Sequence, residues 1–460
     1  MCTTYKNCIC KCKTILDVKY NFIKQRGRKP KIFNFIKIGA LGELSKEASK
    51  MSVKACTSSD KGWKNIDFKT AKANVKKLQM RIAKAHKAGA CGKVESLQHT
   101  LIHSFYAKAI AVKTVVSNKG KSTSGIDNTI WKTDEDKFHA ISTLRRRGYK
   151  PRPLRRVYIS KHDGRKRPLS VPTMRDRTMQ TLYKFALEPI AEVTADPNSY
   201  GFRNGKSTQD AIQRCIEVLS EYQAHVWILE GDIKSCFDNI YHDWIMEHIP
   251  IDKEVLRKFL KSGFIEYEKF NPTKRGIAQG GCISTIICNM TLDELEKQIK
   301  TTCHEDVHFI RYADDFIVIS ESKDSLQQEA IPIIKSFLAE RGLSLSAEKT
   351  KITHIDNGFD FLGWNVRRRD NKQVLVEPSK KNLTAILNKI HDVIKRDFPT
   401  TREQRYTILK PIIVGWRNYH KGVVTTSSLN QAENDILFLI GELTKDSGLV
   451  ELIGELFGET

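Results

Sequence analysis

No apolar stretch in this chain of 460 residues approaches the ~20 residues a helix needs to cross a bilayer, which predicts a soluble protein. Cysteines at the spacing of familiar zinc sites are missing as well. Cys8, Cys10 and Cys12 alternate with single residues, Cys2 stands upstream, and no matching second pair follows, so a tail without metal is the expectation there. The eleven cysteines are scattered, four of them (Cys215, Cys236, Cys282, Cys288) inside expected core segments. That pattern fits reduced thiols better than a disulfide framework. Acids are scarce at one end: the first forty residues hold ten Lys or Arg against Asp17 alone. Bases are scarce at the other, where the last twenty hold five acids and only Lys445. There is no internal repeat.

Positive charge is plentiful. Lys and Arg number 77 against 53 acids, a net charge of +24, which points to a polyanionic partner held through phosphates. A basic membrane-surface protein is the alternative, but no strongly basic amphipathic segment stands out. With 40% hydrophobic residues the chain can bury ample core, and its length suggests roughly two to four domains.

Residues 1–60 read as a basic extension, compatible with a nucleic-acid arm or an organelle-targeting composition. Helical spacing begins after Trp63, with Val75, Leu78 and Ile82 and then Val94, Leu97 and Leu101. The small polar loop Ser117–Asp127 has Lys and backbone donors able to grip a phosphate. Residues 145–177 are dense in Arg and Lys. Within them, Val157–Lys161, a turn at Asp163-Gly164 and Arg167-Pro168-Leu169 predict a basic β-hairpin, with Lys161 and Arg167 suited to a triphosphate. A helix is expected from about Thr208 to Tyr222. Gly276–Gly281 is a Gly-rich turn feeding a helix, a common arrangement that also suits anions. Helical stripes at Leu383–Ile394 and Ile408–Ile413 dominate the C-terminal part.

Two stretches carry acids on apolar strands. Val226–Ile233 is a buried strand ending in Asp232, where a rigid element holds the carboxylate while the strand end stays open. Asp238 reads as a cap for the helix after it. Val307–Ile319 reads as a hairpin with Asp314 and Asp315 at its turn. Alternation separates those two side chains, and Asp314 is taken as the inner metal ligand with Asp315 peripheral. Three carboxylates on neighbouring strands can hold two Mg²⁺ ions, one activating a 3′-hydroxyl and the other stabilising pyrophosphate. The chemistry expected is nucleotidyl transfer.

These blocks, in order, resemble a group II intron-encoded reverse transcriptase/maturase over about residues 63–420. They are Arg155-Arg156-Val157 with Ile159-Ser160-Lys161, Arg167-Pro168-Leu169, Ser199-Tyr200-Gly201-Phe202-Arg203, Asp232-Ile233 with Cys236-Phe237-Asp238, Gln279-Gly280-Gly281, Arg311–Asp315, Glu348-Lys349-Thr350 and Gly358–Gly363. The resemblance implies an α/β (α+β) right-hand polymerase with fingers, an antiparallel palm sheet and an α-helical thumb, or X domain. The expected divisions are an N-terminal helical region with fingers at 61–190, palm at 191–365, thumb at 366–445 and an acidic tail at 446–460.

The resemblance further implies Asp232, Asp314 and Asp315 as the catalytic and metal-binding triad, joined by the backbone carbonyl of Ile233. It implies Lys161, Arg167, Gln279 and Lys349 as nucleotide-binding, Phe237 as a gate against the ribose 2′-hydroxyl, and Arg155, Arg156, Trp416, Arg417 and Tyr419 as RNA-binding. For Trp416 and Tyr419, burial in a helix pair is an equal alternative. The implied cofactor is Mg²⁺, two ions. The implied partners are group II intron RNA, an RNA template with a DNA primer, and dNTPs, with no membrane; oligomeric state stays open. Ala278 and Thr285 stand where the family usually has Pro. No Cys or His follows His420, so a zinc-bearing endonuclease module is not expected. Lys-rich composition leans toward an organelle genome, chloroplast first.

Overall fold

The computed structural model describes residues 62–160, 166–222, 225–304, 306–369, 373–395, 401–458. The basic extension, its cysteine cluster, Lys161 and the Asp163-Gly164 turn lie outside them.

Four helices open the described chain: α1 (Phe68–Lys87), α2 (Cys91–His103), α3 (Phe105–Ser117) and α4 (Asp134–Thr143). Asp67 caps α1 by accepting from the amides of Lys69 and Thr70, and Thr133 and Asp136 form a capping box on α4. α1 to α3 pack around α5 (Met174–Thr194), burying Ala71, Val75, Ile82, Leu101 and Val112 in one core. Ahead of α5, β1 (Leu154–Ser160) pairs antiparallel with β2 (Lys166–Val171), as the hairpin pattern predicts.

After α6 (Thr208–Glu221) come β3 (Trp227–Asp232), the short helices α7 (Cys236–Asn239), α8 (His242–His248) and α9 (Lys253–Leu260), and the small hairpin β4 (Phe264–Glu266) and β5 (Lys269–Asn271). That hairpin extends the fingers sheet to the order β2-β1-β4-β5. α10 (Ser284–Leu292) and α11 (Leu295–Thr302) lead into β6 (His308–Tyr312) and β7 (Asp315–Ser320), followed by α12 (Ile331–Glu340) and β8 (Lys351–His354). The palm sheet runs β6-β7-β3-β8, each neighbouring pair antiparallel.

Both faces of that sheet are covered. Leu229, Phe309, Phe316 and Val318 join the core shared with the N-terminal helices, while Ile228, Ile310, Ile317 and Ile319 join the core shared with the C-terminal helices. Alternation sends successive residues to opposite faces. Two buried faces therefore require the unbroken apolar runs seen in sequence. Gly231 sits beneath the Phe316 ring, which a side chain there would overlap.

A three-stranded sheet, β9 (Phe359–Phe361), β10 (Trp364–Arg368) and β11 (Val374–Pro378), connects palm to thumb. The boundary expected at 365 falls inside β10. A division after Pro378 keeps the sheet whole, because its hydrogen-bonded ladder continues to that residue. The thumb comprises α13 (Lys380–Lys395), α14 (Arg402–His420), α15 (Thr426–Thr444) and α16 (Ser447–Gly458). The expected acidic tail is α16, an amphipathic helix that buries Leu449, Ile453 and Leu456. Its acids lie on the outer face, which is why charge counting alone missed the helix. The architecture is that of a right-hand polymerase: fingers, antiparallel palm and helical thumb.

Candidate active site

The palm sheet ends in acids. Asp232 closes β3 directly opposite Asp315, the first residue of β7, and Asp314 stands in the two-residue turn between β6 and β7. The structure thus pairs Asp232 with Asp315 rather than with Asp314. Ala313, the other turn residue, takes φ +58°, left-handed and unusual for a residue with a Cβ.

Burial raises the Asp314 carboxyl above the ordinary range, and the Asp232 charge adds to it. Asp315 keeps an edge open to the cleft. Desolvation by the surrounding protein, then the charges of Asp314 and Asp232, push its carboxyl up to about 6. Lys349 answers this crowding: its Nζ donates to Asp232 Oδ1 at 2.9 Å, and its charge favours ionisation of both other acids. The Arg167 charge also reaches Asp314, which links the fingers hairpin to the palm acids. Ile233 follows Asp232 and bridges to Leu345.

Among the described residues, no group of three His, Cys, Asp or Glu side chains converges tightly enough to hold an ion unaided. The donor set nevertheless fits Mg²⁺, which typically takes one or two carboxylates and completes its shell with water and substrate phosphates. The raised carboxyls show a mutual repulsion that a cation relieves. A cleft of about 620 Å³ opens over Asp232 and Asp315, with Lys349, Lys351, Gly363 and Lys381 in its wall.

Phe237 lies in α7, which starts after Ser235 at φ +47°, and the Phe202 ring meets it edge-on at 6.2 Å. The Gly-rich loop is bonded to the same helix, Ile277 N to Phe237 O at 2.6 Å and Gly276 N to Ile240 O at 2.7 Å. Gln279 accepts from Ser170 N at 2.7 Å through its carbonyl and donates to Asp238 at 3.4 Å through its side chain. Asp238 is therefore not a cap; it sits inside α7, and Tyr241 stands at the N-terminus of α8. A second cleft of about 480 Å³ lies beside this loop, with Arg156, Tyr158, Lys274, Arg275 and Gln279 in its wall.

The residues expected to contact RNA have partners within the protein, and of them Trp416 and Arg417 are buried while Arg155, Arg156 and Tyr419 are half-buried. Arg155 gives Nε and Nη2 to the Ser124 carbonyl (3.1 and 2.7 Å), and Arg156 stacks 3.9 Å over the Phe264 ring. The Ser117–Asp127 loop thus turns carbonyls inward, to Arg155 and to Arg177, which donates to Gly120 O at 2.9 Å and to Thr123 O. Arg177 and Arg155 thus occupy carbonyls of this loop, whereas a phosphate would take its Lys and N–H donors. Trp416 is buried and donates to Asn382 Oδ1 at 2.7 Å. Arg417 is consumed by Glu433 (2.8 Å) and the last carbonyls of α16, Leu456 (3.1 Å) and Phe457 (2.6 Å). Tyr419 stacks on Trp364 at 4.6 Å and donates to Leu362 O at 2.7 Å. Tyr419 thus ties the thumb to the sheet that precedes it, while Trp416 and Arg417 are held by partners within the thumb.

Sequence reading missed one basic surface. On α1, Lys69, Lys72, Lys76, Lys77, Arg81, Lys84 and Lys87 are all exposed on the side opposite Ala71, Val75, Ile82 and Ala85. No side-chain partner occurs for the last six among the described residues. Helical spacing of the bases, beside that of the apolar residues, was the available signal.

The comparisons with known proteins follow this layout. The family model "N-terminal domain of reverse transcriptase" matches residues 63–144, "Reverse transcriptase (RNA-dependent DNA polymerase)" matches 159–366, and "Group II intron, maturase-specific domain" matches 383–436. Group II intron-encoded protein LtrA of Lactococcus lactis is 30% identical over 330 residues, covering 56% of this chain and 55% of LtrA. The chain thus spans about half the length of that relative. Protein YkfC of Escherichia coli is 30% identical over 341 residues, covering 61% of this chain and 88% of YkfC. Maturase-like protein 1 of Euglena gracilis is 24% identical, covering 75% of this chain and 74% of its own. Among solved structures, telomerase from Candida albicans is similar at TM-score 0.39 and 13% identity, covering 67% of this chain and 62% of that one. Polymerase and maturase regions follow one another along one chain, in the order its fingers, palm and thumb require, and the chain belongs to the family of group II intron-encoded reverse transcriptases/maturases.

Proposed function

We propose that this protein is an RNA-directed DNA polymerase that also binds its host intron RNA and assists splicing, with an organelle genome, chloroplast preferred, as its host. The observation that carries the polymerase reading is the pairing of Asp232 with Asp315 beside Asp314, with the Asp314 and Asp315 carboxyls raised by burial and by neighbouring charge and Lys349 bonded to Asp232. Asp232, Asp314 and Asp315, with the Ile233 carbonyl, would hold the metal. When bound, two Mg²⁺ ions lower the pKa of the primer 3′-hydroxyl and offset charge on the departing pyrophosphate. Arg167 and Lys161 would offset triphosphate charge, and Lys349, now bonded to Asp232, would be available to phosphate with Asp232 on the metal. Phe237 closes the space beside C2′ and excludes a ribose hydroxyl. Gln279, held between Ser170 and Asp238, orients nucleotide and template. Most of the rate arises from this positioning.

Intron binding is supported by α1, whose six unpaired cations run along its exposed side for about 22 Å, a length suited to successive phosphates of folded RNA. Splicing help is a binding function, since the RNA carries its own active site. A splicing-only maturase is the second reading; it needs only a basic surface such as that of α1, whose exposed cations do not depend on the palm acids.

Primer extension on an RNA template with dNTPs and Mg²⁺ separates the readings. Intact protein is compared with Asp314→Ala while intron RNA binding is followed in both. Extension abolished in the variant with RNA binding retained supports the polymerase. Tight RNA binding without extension by folded intact protein leaves the splicing maturase.

A further inference from the structure

Ala313 needs something to hold its left-handed backbone, because a residue with a Cβ persists there only when its surroundings enforce it. The surroundings are unusual. Arg311, two residues earlier on β6, is fully buried, with 0% of its surface exposed. Its Nη1 donates to the Ala313 carbonyl at 3.3 Å and to Asn289 Oδ1 at 3.4 Å, and its Nη2 donates to Asp293 Oδ1 at 2.6 Å. Asn289 then donates to Gly201 O at 2.7 Å. Gly201 lies flat against the turn, so close that a Cβ would overlap the Ala313 backbone nitrogen. The main chain of Arg311 completes the clamp: its amide donates to Asn198 O and its carbonyl accepts from Tyr200 N, both at 2.9 Å.

This cluster is a poor way to gain stability. A buried ion pair roughly breaks even against apolar packing. Burial pushes the Asp293 carboxyl up to about 7 in spite of the adjacent guanidinium. What the cluster does supply is geometry. Its three donor directions fix the peptide immediately before Asp314. They also bind that peptide to α10, which follows the Gly-rich loop, and to the Tyr200–Phe202 segment, which abuts Phe237.

We propose that Arg311, with Asp293 and Asn289, is a positioning residue for the polymerase reaction: its guanidinium holds the Ala313 carbonyl and thereby sets the Asp314 carboxylate for metal and nucleotide. The inference rests on the polymerase reading above. It assigns Arg311 no contact with substrate.

The test replaces the ion pair by apolar residues, Arg311→Met with Asp293→Leu, in the full chain. Such paired replacement preserves folding where removal of one partner does not. The expected result is an unfolding temperature close to that of the parent, a dNTP KM within about twofold, and a kcat lower by roughly 100-fold, the effect of a misplacement near 1 Å. Binding of Mn²⁺ alone, followed by its paramagnetic resonance signal, weakens in parallel. Arg311→Lys keeps the charge toward Asp293 but lacks the fork that reaches Ala313, so it shows the same loss of kcat and of Mn²⁺ affinity. Parent-level kcat and Mn²⁺ affinity in either folded variant overturn the proposal. So does a fall in kcat matched by an equal fall in the folded fraction. Should the parent protein itself fail to extend a primer, the polymerase reading fails, and Mn²⁺ affinity still judges the clamp: weaker binding in the variants upholds it and equal binding overturns it.

Discussion

Lys349 and Asp232 are joined by a 2.9 Å ion pair at the mouth of the active-site cleft, with 57% of the lysine side chain exposed. So exposed a pair contributes little to folding, at most about 1 kcal/mol. On the proposed function its weight falls on substrate, because the same ammonium would be available to phosphate with Asp232 on the metal. Lys349→Met is expected to leave the unfolding temperature nearly unchanged and to raise the dNTP KM about tenfold, the effect of one lost charge-assisted hydrogen bond of ~1.5 kcal/mol. Steady-state extension kinetics beside thermal unfolding check both. An unchanged KM would remove Lys349 from the nucleotide site.

Phe202 supports Phe237 from outside the catalytic set. The rings meet edge-on at 6.2 Å, and Phe202 is held at φ +60° while keeping half its surface exposed. An aromatic pair of this kind contributes ~0.5–1.5 kcal/mol beyond area. Phe237→Ala is expected to admit ribonucleotides, and Phe202→Ala to lower the dNTP-over-rNTP ratio of kcat/KM by up to about tenfold with Phe237 intact. Single-nucleotide incorporation with matched dNTP and rNTP pairs measures the ratio. A ratio identical to the parent's in Phe202→Ala denies it any share in the gate.

What the sequence made legible followed from local rules. The acidic strand ends, the basic hairpin and the helix at Thr208 are each specified by a short period of apolar residues and a turn or cap, and each stands where expected. Side chains whose partners lie far along the chain were read less well. Arg417 looks like a surface cation in Gly-Trp-Arg-Asn-Tyr, yet its acceptors are 16, 39 and 40 residues later. Arg311 reads as a strand-flanking charge until Asn289 and Asp293 are seen beneath it. Those two stand four apart on and just past a largely buried helix, and that spacing of polar residues was the clue available.

The basic face of α1 leads to a salt prediction. Each cation that meets a phosphate displaces a counterion, so the logarithm of affinity falls with the logarithm of salt in proportion to the number of contacts. Lys72→Gln, Lys76→Gln and Lys84→Gln all lie on the exposed side of α1, and Ala71, Val75, Ile82 and Ala85 supply its buried side. Folding should be unaffected, while the slope for intron RNA flattens by about 2 to 3. Filter binding across a salt series supplies the slope. An unaltered slope would move the intron contact elsewhere on the chain.

His420 makes thumb docking sensitive to acid, and the direction follows from its partners. Trp416 can only donate, so the atom it meets at 2.7 Å is the Asn382 oxygen, and His420 Nε2, 3.1 Å from that oxygen, must also donate. Nδ1 is left as the bare nitrogen, buried and without a partner among the described residues. Protonation would place a second N–H there with nothing to accept it, and burial lowers the pKa to about 4. An unfolded histidine titrates near 6.5. With the folded value below the unfolded one, the stabilisation is complete above about pH 6.5 and is lost progressively as pH falls toward 4, on the order of 3 kcal/mol in all. Denaturant unfolding between pH 7.5 and 4.5 should show that loss, and His420→Gln, uncharged throughout, should flatten the curve across this window. A variant curve parallel to the parent's would place the acid sensitivity on other groups.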